Sequence, residues 1–102
     1  MTINLKTKED VNLILSSVRA LWGAIVPSLR SVSIGLQDNK ITWQCIFDDK
    51  ATNDELELLS IAAAEVIADF PDYEQEEIIK QVPYPHKVEH LKNLIYLRHE
   101  DN

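Results

Sequence analysis

The turn Asp38-Asn39 and the alternation on either side of it constrain this chain more than any other feature. Val32, Ile34 and Leu36 alternate with Ser31, Ser33 and Gly35 before the turn. Ile41, Trp43, Cys45 and Phe47 alternate with Thr42, Gln44 and Asp48 after it, and only Ile46 breaks the phase. Side chains on a strand point to opposite faces in turn, so period two marks a strand with one apolar face. Asp and Asn both tolerate positive φ, which a two-residue hairpin turn requires. The spacing therefore predicts a β-hairpin with one buried face and one mostly wet face.

The flanking segments read as helices. Thr7 followed by Asp10 is a relative of the capping box, and Val11, Ile14, Leu15, Val18, Leu21, Trp22 and Ile25 then recur at helical spacing. Gly23 and Pro27 close that segment, so a helix is predicted over Lys8–Ile25 with these residues facing the core. Thr52-Asn53-Asp54-Glu55 is a capping box opening a second helix, Asn53–Phe70, with Leu56, Leu59, Ala63, Val66, Ile67 and Phe70 on one stripe. Pro71 ends it. Ile78, Lys80 and Val82 suggest a third strand, although Ile79 is out of phase, and Leu94 to Arg98 a fourth. The expected fold is α+β, a single domain over residues 1–102 in the order α-β-β-α-β-β. It has a four-stranded antiparallel sheet with both helices packed on one face.

Length and composition agree with one domain. The chain has 102 residues, 45% apolar, with only 2 Gly and 4 Pro. Its net charge of −7 sets it against nucleic acid and anionic membranes as direct partners, and favours a basic protein surface. Cys45 is the one cysteine, so no intramolecular disulfide forms and a reducing cytoplasm is the expected compartment. The first residues show no apolar signal-peptide core, and no apolar run has the length of a membrane span.

The charge is concentrated. Between Asp48 and Glu77 stand eleven acids against Lys50 alone, a local charge of −10 in a chain of −7, which leaves +3 for the remainder. Such a segment suits docking to a basic partner, where it would speed encounter and penalise wrong partners. The plainer alternative is a solvated helix face with acids at a helix start. The docking set is read as Asp48, Asp49, Asp54, Glu57, Asp69, Asp72, Glu74, Glu76 and Glu77, with Tyr73 as an aromatic anchor.

Chemistry of other kinds finds little footing. The Asp48-Asp49 and Asp69/Asp72 pairs fall at element ends, where exposure works against a catalytic pKa shift, and the spacing of a calcium loop is absent. His86 and His90 are four apart, but Pro83 and Pro85 argue against a helix there, and Lys87 replaces the Glu of the metalloprotease motif. Neither a nucleophile elbow nor a Gly-rich phosphate loop is present. Cys45 reads as a buried small hydrophobe, and Trp22 and Trp43 as core. No catalytic residue, cofactor site or metal site is expected.

Three stretches carry a resemblance: Leu29-Arg30-Ser31-Val32-Ser33-Ile34, Ala62 through Tyr73, and Tyr96-Leu97-Arg98. In order and length the chain resembles small bacterial immunity proteins of contact-dependent growth-inhibition systems. The resemblance implies a cytoplasmic, non-enzymatic protein that binds a cognate toxin domain stoichiometrically. Many such toxins are basic nucleases. Immunity proteins share no universal binding motif, so no contact residue transfers. The alternative is a self-associating structural or regulatory domain, without a toxin partner, that pairs by an exposed sheet edge.

Overall fold

A computed structural model describes residues 7–101. Its elements are α1 (Lys8–Ala20), β1 (Leu29–Gln37), β2 (Lys40–Phe47), α2 (Asn53–Ala68), β3 (Glu74–Gln81) and β4 (Asn93–Leu97). The hairpin forms as expected. Asp38 and Asn39 adopt φ of 51° and 63°, the two positive values that match a turn to the twist of its strands. Val32 pairs with Cys45, Ile34 with Trp43 and Leu36 with Ile41, so the apolar alternation of both strands falls on one face. A bulge at Arg30 shifts the register, after which Leu29 meets Phe47 and returns to the same face.

The sheet is mixed, which corrects the expectation of a fully antiparallel one. Its order is β3-β2-β1-β4. β1 is antiparallel to β2 and β4, but β3 is parallel to β2, pairing from Lys40–Glu74 to Phe47–Gln81. The cause is the helix between them: α2 carries the chain back to the start of β2, so the next strand runs in the same direction. β3 and β4 are therefore not a hairpin. They lie on opposite edges, and residues 82–92 cross the sheet to join them.

Both helices contact the sheet, α1 over β1 and β4, α2 over β2 and β3, and they contact each other. Beneath them lie Leu13, Val32, Ile34, Trp43, Phe47, Leu59 and Val66. Trp43 is core as expected, at 1% exposure, with its indole N–H directed at Cys45 Sγ (3.0 Å). Burial pushes the Cys45 thiol up to about 12, consistent with an inert packing residue. On the second face the crossing segment acts as a strap. The Gln44 side chain donates to Glu89 O (2.9 Å), and the Leu91 N–H donates to Ser33 Oγ (3.0 Å). Ile46, the residue that broke the alternation of β2, faces this side and is buried as well.

Two helix expectations are corrected in detail. α1 ends at Ala20, with Leu21 as its C-cap and Gly23 at φ 79°, a left-handed value that terminates helices. α2 ends at Ala68, capped by Asp69, so Phe70 lies beyond it. Both capping boxes form reciprocally: Thr52 N–H donates to Glu55 Oε1 (3.0 Å), and Glu55 N–H to Thr52 Oγ1 (3.2 Å); Thr7 and Asp10 repeat the exchange. The larger correction concerns which face of α1 is buried. Asp10, Leu13, Ser16, Ser17 and Ala20 face inward. Trp22 is 75% exposed, and Val11, Leu15, Val18 and Ile25 face water with it. Small and self-satisfied residues let α1 sit close: the Ser17 hydroxyl donates to Leu13 O (2.7 Å).

Candidate partner-binding surface

The acids between Asp48 and Glu77 separate into groups that the fold holds apart. Asp49, Asp54 and Glu57 cluster around the start of α2, where negative charge is favoured by the helix dipole. Asp69, Asp72, Tyr73, Glu74 and Glu76 lie around the end of α2 and the start of β3. A helix of 16 residues is about 24 Å long, and that length divides the two groups. Glu77 lies between them on the helix side of β3, where it accepts from the Ser60 hydroxyl (3.1 Å). Together they rim the flank made by α2 and β3.

Not every acid in the set is equally available. Asp49, Asp54, Glu57, Asp72 and Glu74 are exposed, and their side chains have no hydrogen bond or ion pair among the described residues. Glu76 pairs with Lys40 at 3.2 Å on an exposed surface, an interaction that contributes little. Asp69 accepts from the Ser16 hydroxyl (2.6 Å) beside a shallow groove of about 370 Å³ between α1 and α2. Tyr73 is half-buried, its ring edge-on to Phe70 with centroids 5.8 Å apart. Asp48 is different: it is buried, and its Oδ2 accepts from Arg98 Nη1 at 2.7 Å while Oδ1 accepts from the Lys50 N–H. Burial pushes its carboxyl up, but the Arg98 and Lys50 bonds outweigh this and hold it below the usual carboxylate range. Asp48 is thus engaged within the fold.

That pair belongs to a network the sequence reading did not single out. Arg30, 3% exposed, donates to both oxygens of Glu100 (2.8 and 2.9 Å) and to Val82 O (2.9 Å). Arg98 donates to Glu100, Asp48 and Pro27 O. The Arg30 guanidinium lies 5.7 Å from the centre of the Tyr84 ring, which ties the strap to this network. The hydrogen bond from Arg30, working against burial, holds the Glu100 carboxyl below its usual range. The one available signal was Arg30 itself, a charge directly before the alternating residues of the first strand. A second buried acid, Asp10, is held at about 2: burial opposes the shift, and the Thr7 N–H, Lys92, the Thr7 hydroxyl and Asn93 outweigh it.

His86 and His90 fall in the irregular strap and are exposed; His86 Nδ1 lies 3.0 Å from Pro83 O. Among the described residues no group of three or more His, Cys, Asp or Glu side chains is arranged to hold a metal ion. No helix among them is long and apolar enough to cross a membrane.

The segments that carried the resemblance can now be placed. Arg30 and Arg98 anchor the ion-pair network, Asp69 joins the helices, and Phe70 packs on Tyr73. These contacts hold distant parts of the fold together. No curated protein matches the chain. A family model, described as MafI2 immunity protein, matches residues 10–100. That match runs from the buried acid of α1 to the Glu100 of the network, and by it the chain belongs to the MafI2 immunity protein family.

Proposed function

We propose that this protein is a cytoplasmic immunity protein that neutralises a cognate toxin domain by stoichiometric binding, without a catalytic step of its own. Family membership over residues 10–100 carries the reading, because an immunity protein implies a toxin partner. The toxin is proposed to be basic, of the kind delivered by contact between cells, and a nuclease is the enzyme class whose phosphate-binding surface best complements this acidic flank. The docking set centres on Asp69, Asp72, Glu74, Glu76 and Glu77 with Tyr73 beside them, and extends to Asp49, Asp54 and Glu57. Asp48 contributes through its hold on Arg98. Exposed carboxylates around one half-buried aromatic resemble the charged rim and anchor of a steered interface.

The test is co-expression with a candidate cognate toxin domain. The expected result is restored growth and a one-to-one complex on purification. Protection without a complex, with the toxin chemically altered, would point to an enzymatic mode. Absence of both protection and binding would remove the toxin reading.

A further inference from the structure

The outward stripe of α1 has the features of a second interface. Val11, Leu15, Val18, Trp22 and Ile25 follow one another at steps of four, three, four and three. Over α1 itself, from Val11 to Val18, that is the seam spacing by which one helix packs along another. Leu15 is 55% exposed, Trp22 75%, and the other three 40–44%. The first three lie on α1, and Trp22 and Ile25 extend the exposed apolar surface into the turn beyond its C-cap. The opposite side of the helix is already packed on the sheet, so burial of this seam requires something outside the chain as described.

We infer that the occupant is a second copy of this chain, with α1 packed against α1 about a two-fold axis. Charge is the first reason. The chain carries −7, yet residues 11–25 contain no acid and only Arg19 as a charge. This stretch is where two such acidic chains meet without opposing carboxylates. Fit is the second: a seam laid antiparallel on its own copy is self-complementary, as an isologous contact must be. Area is the third. An exposed Trp with four exposed aliphatic residues leaves on the order of 500 Å² of apolar surface in water, the upper range for a single patch on a monomer. Two copies together reach about 1,000 Å² from these residues alone, the lower bound of a specific interface. The sheet edges are poorer candidates: β3 presents Glu74, Glu76, Glu77 and Lys80, and β4 has five residues. Because α1 sits over β1 and β4, pairing there leaves the α2–β3 flank open.

Sedimentation equilibrium on the purified full chain, from about 1 µM to about 500 µM, tests this. Tryptophan emission on dilution supplies a second readout, since Trp43 is buried and a change reports Trp22. The expected result is a dimer that dissociates on dilution with a red shift of emission. Leu15→Glu and Trp22→Glu should each raise the dissociation constant at least tenfold, with Val18→Lys as a third variant should one of these fold poorly. Ile61→Glu, an exposed apolar site on α2, should leave it unchanged. A chain monomeric at every concentration overturns the inference. So does a dimer indifferent to the α1 variants, and so does a monomer whose Trp22 substitution abolishes toxin neutralisation, which would make the seam a toxin contact.

Discussion

Arg30 and Glu100 stand seventy residues apart in the chain and meet as a two-pronged ion pair, with Nε to Oε2 at 2.8 Å and Nη2 to Oε1 at 2.9 Å. Arg30 sits in the bulge of β1, one of the two central strands, so this pair fastens the segment after β4 to the hairpin. Removing one partner of such a pair leaves the other charge buried without compensation. Glu100→Ala should therefore destabilise the protein by about 3 kcal/mol, read from urea unfolding midpoints at constant slope. Loss of less than about 0.5 kcal/mol would show that Arg30 is satisfied by Val82 O and Tyr84 alone.

Acid should unfold the protein through its depressed carboxylates. Asp10 is held at about 2, below the ordinary 3.8 of an aspartate, and Asp48 and Glu100 are shifted in the same direction. A depressed carboxylate contributes stability that is present above its unfolded pKa and lost as pH falls through the folded one. For Asp10 the contribution is on the order of 2 kcal/mol, lost between about pH 5 and pH 2. Thermal melts from pH 7 downward should show the decline, and Asp10→Asn should be weaker at pH 7 with a shallower slope in that window.

Cys45 should resist labelling. Its thiol is buried and pushed up to about 12, so almost none is thiolate at neutral pH. Reaction with an aromatic disulfide reagent should be negligible in the folded protein and complete in denaturant. Its rate in water should follow global opening, and fast labelling of protein that remains folded would contradict the burial.

The acidic flank should govern association more than dissociation. Asp72→Asn, Glu74→Gln and Glu76→Gln together should slow toxin binding by roughly tenfold at low salt, while the thermal midpoint barely moves. The gap should close at high salt, since the Debye length falls from about 10 Å at 0.1 M to about 3 Å at 1 M. Surface-immobilised kinetics at two ionic strengths would measure both rates. An association rate indifferent to salt and to the triple replacement would reduce these acids to a solvated face.

Local chemistry was legible in the sequence where it acts over a few residues. The Asp38-Asn39 turn, both capping boxes and the alternation of β1 and β2 were readable because turn sterics and periodicity operate at short range. The direction of β3 was not, because a strand's pattern is the same whichever neighbour it joins. Ile46, the apolar residue out of phase in β2, hinted that the sheet was more than a simple one-sided surface, and Ile78, paired with Gln44, faces that same second side. Trp22 misled for a different reason: the helix has two faces with a claim to burial, and hydrophobicity favoured the outward one. What seats α1 is the small side of Ser16, Ser17 and Ala20, together with Asp10, whose partners Lys92 and Asn93 lie more than eighty residues away. Of the candidate docking residues, Asp48 was indistinguishable from Asp49 in sequence, since only the folded position of Arg98 separates them.

The neighbouring strands β2 and β3 differ sharply in how freely their residues can be exchanged. In β2 five consecutive side chains are buried, and almost any replacement meets packed atoms. In β3 only Ile78 is even half-buried, and the strand is held by its backbone ladder to β2. Exposed replacements along it shift stability by about 0.5 kcal/mol or less each. A lineage could therefore rewrite nearly the whole outer edge while the hairpin beneath stays as it is, so that what the molecule shows to its surroundings drifts independently of what folds it.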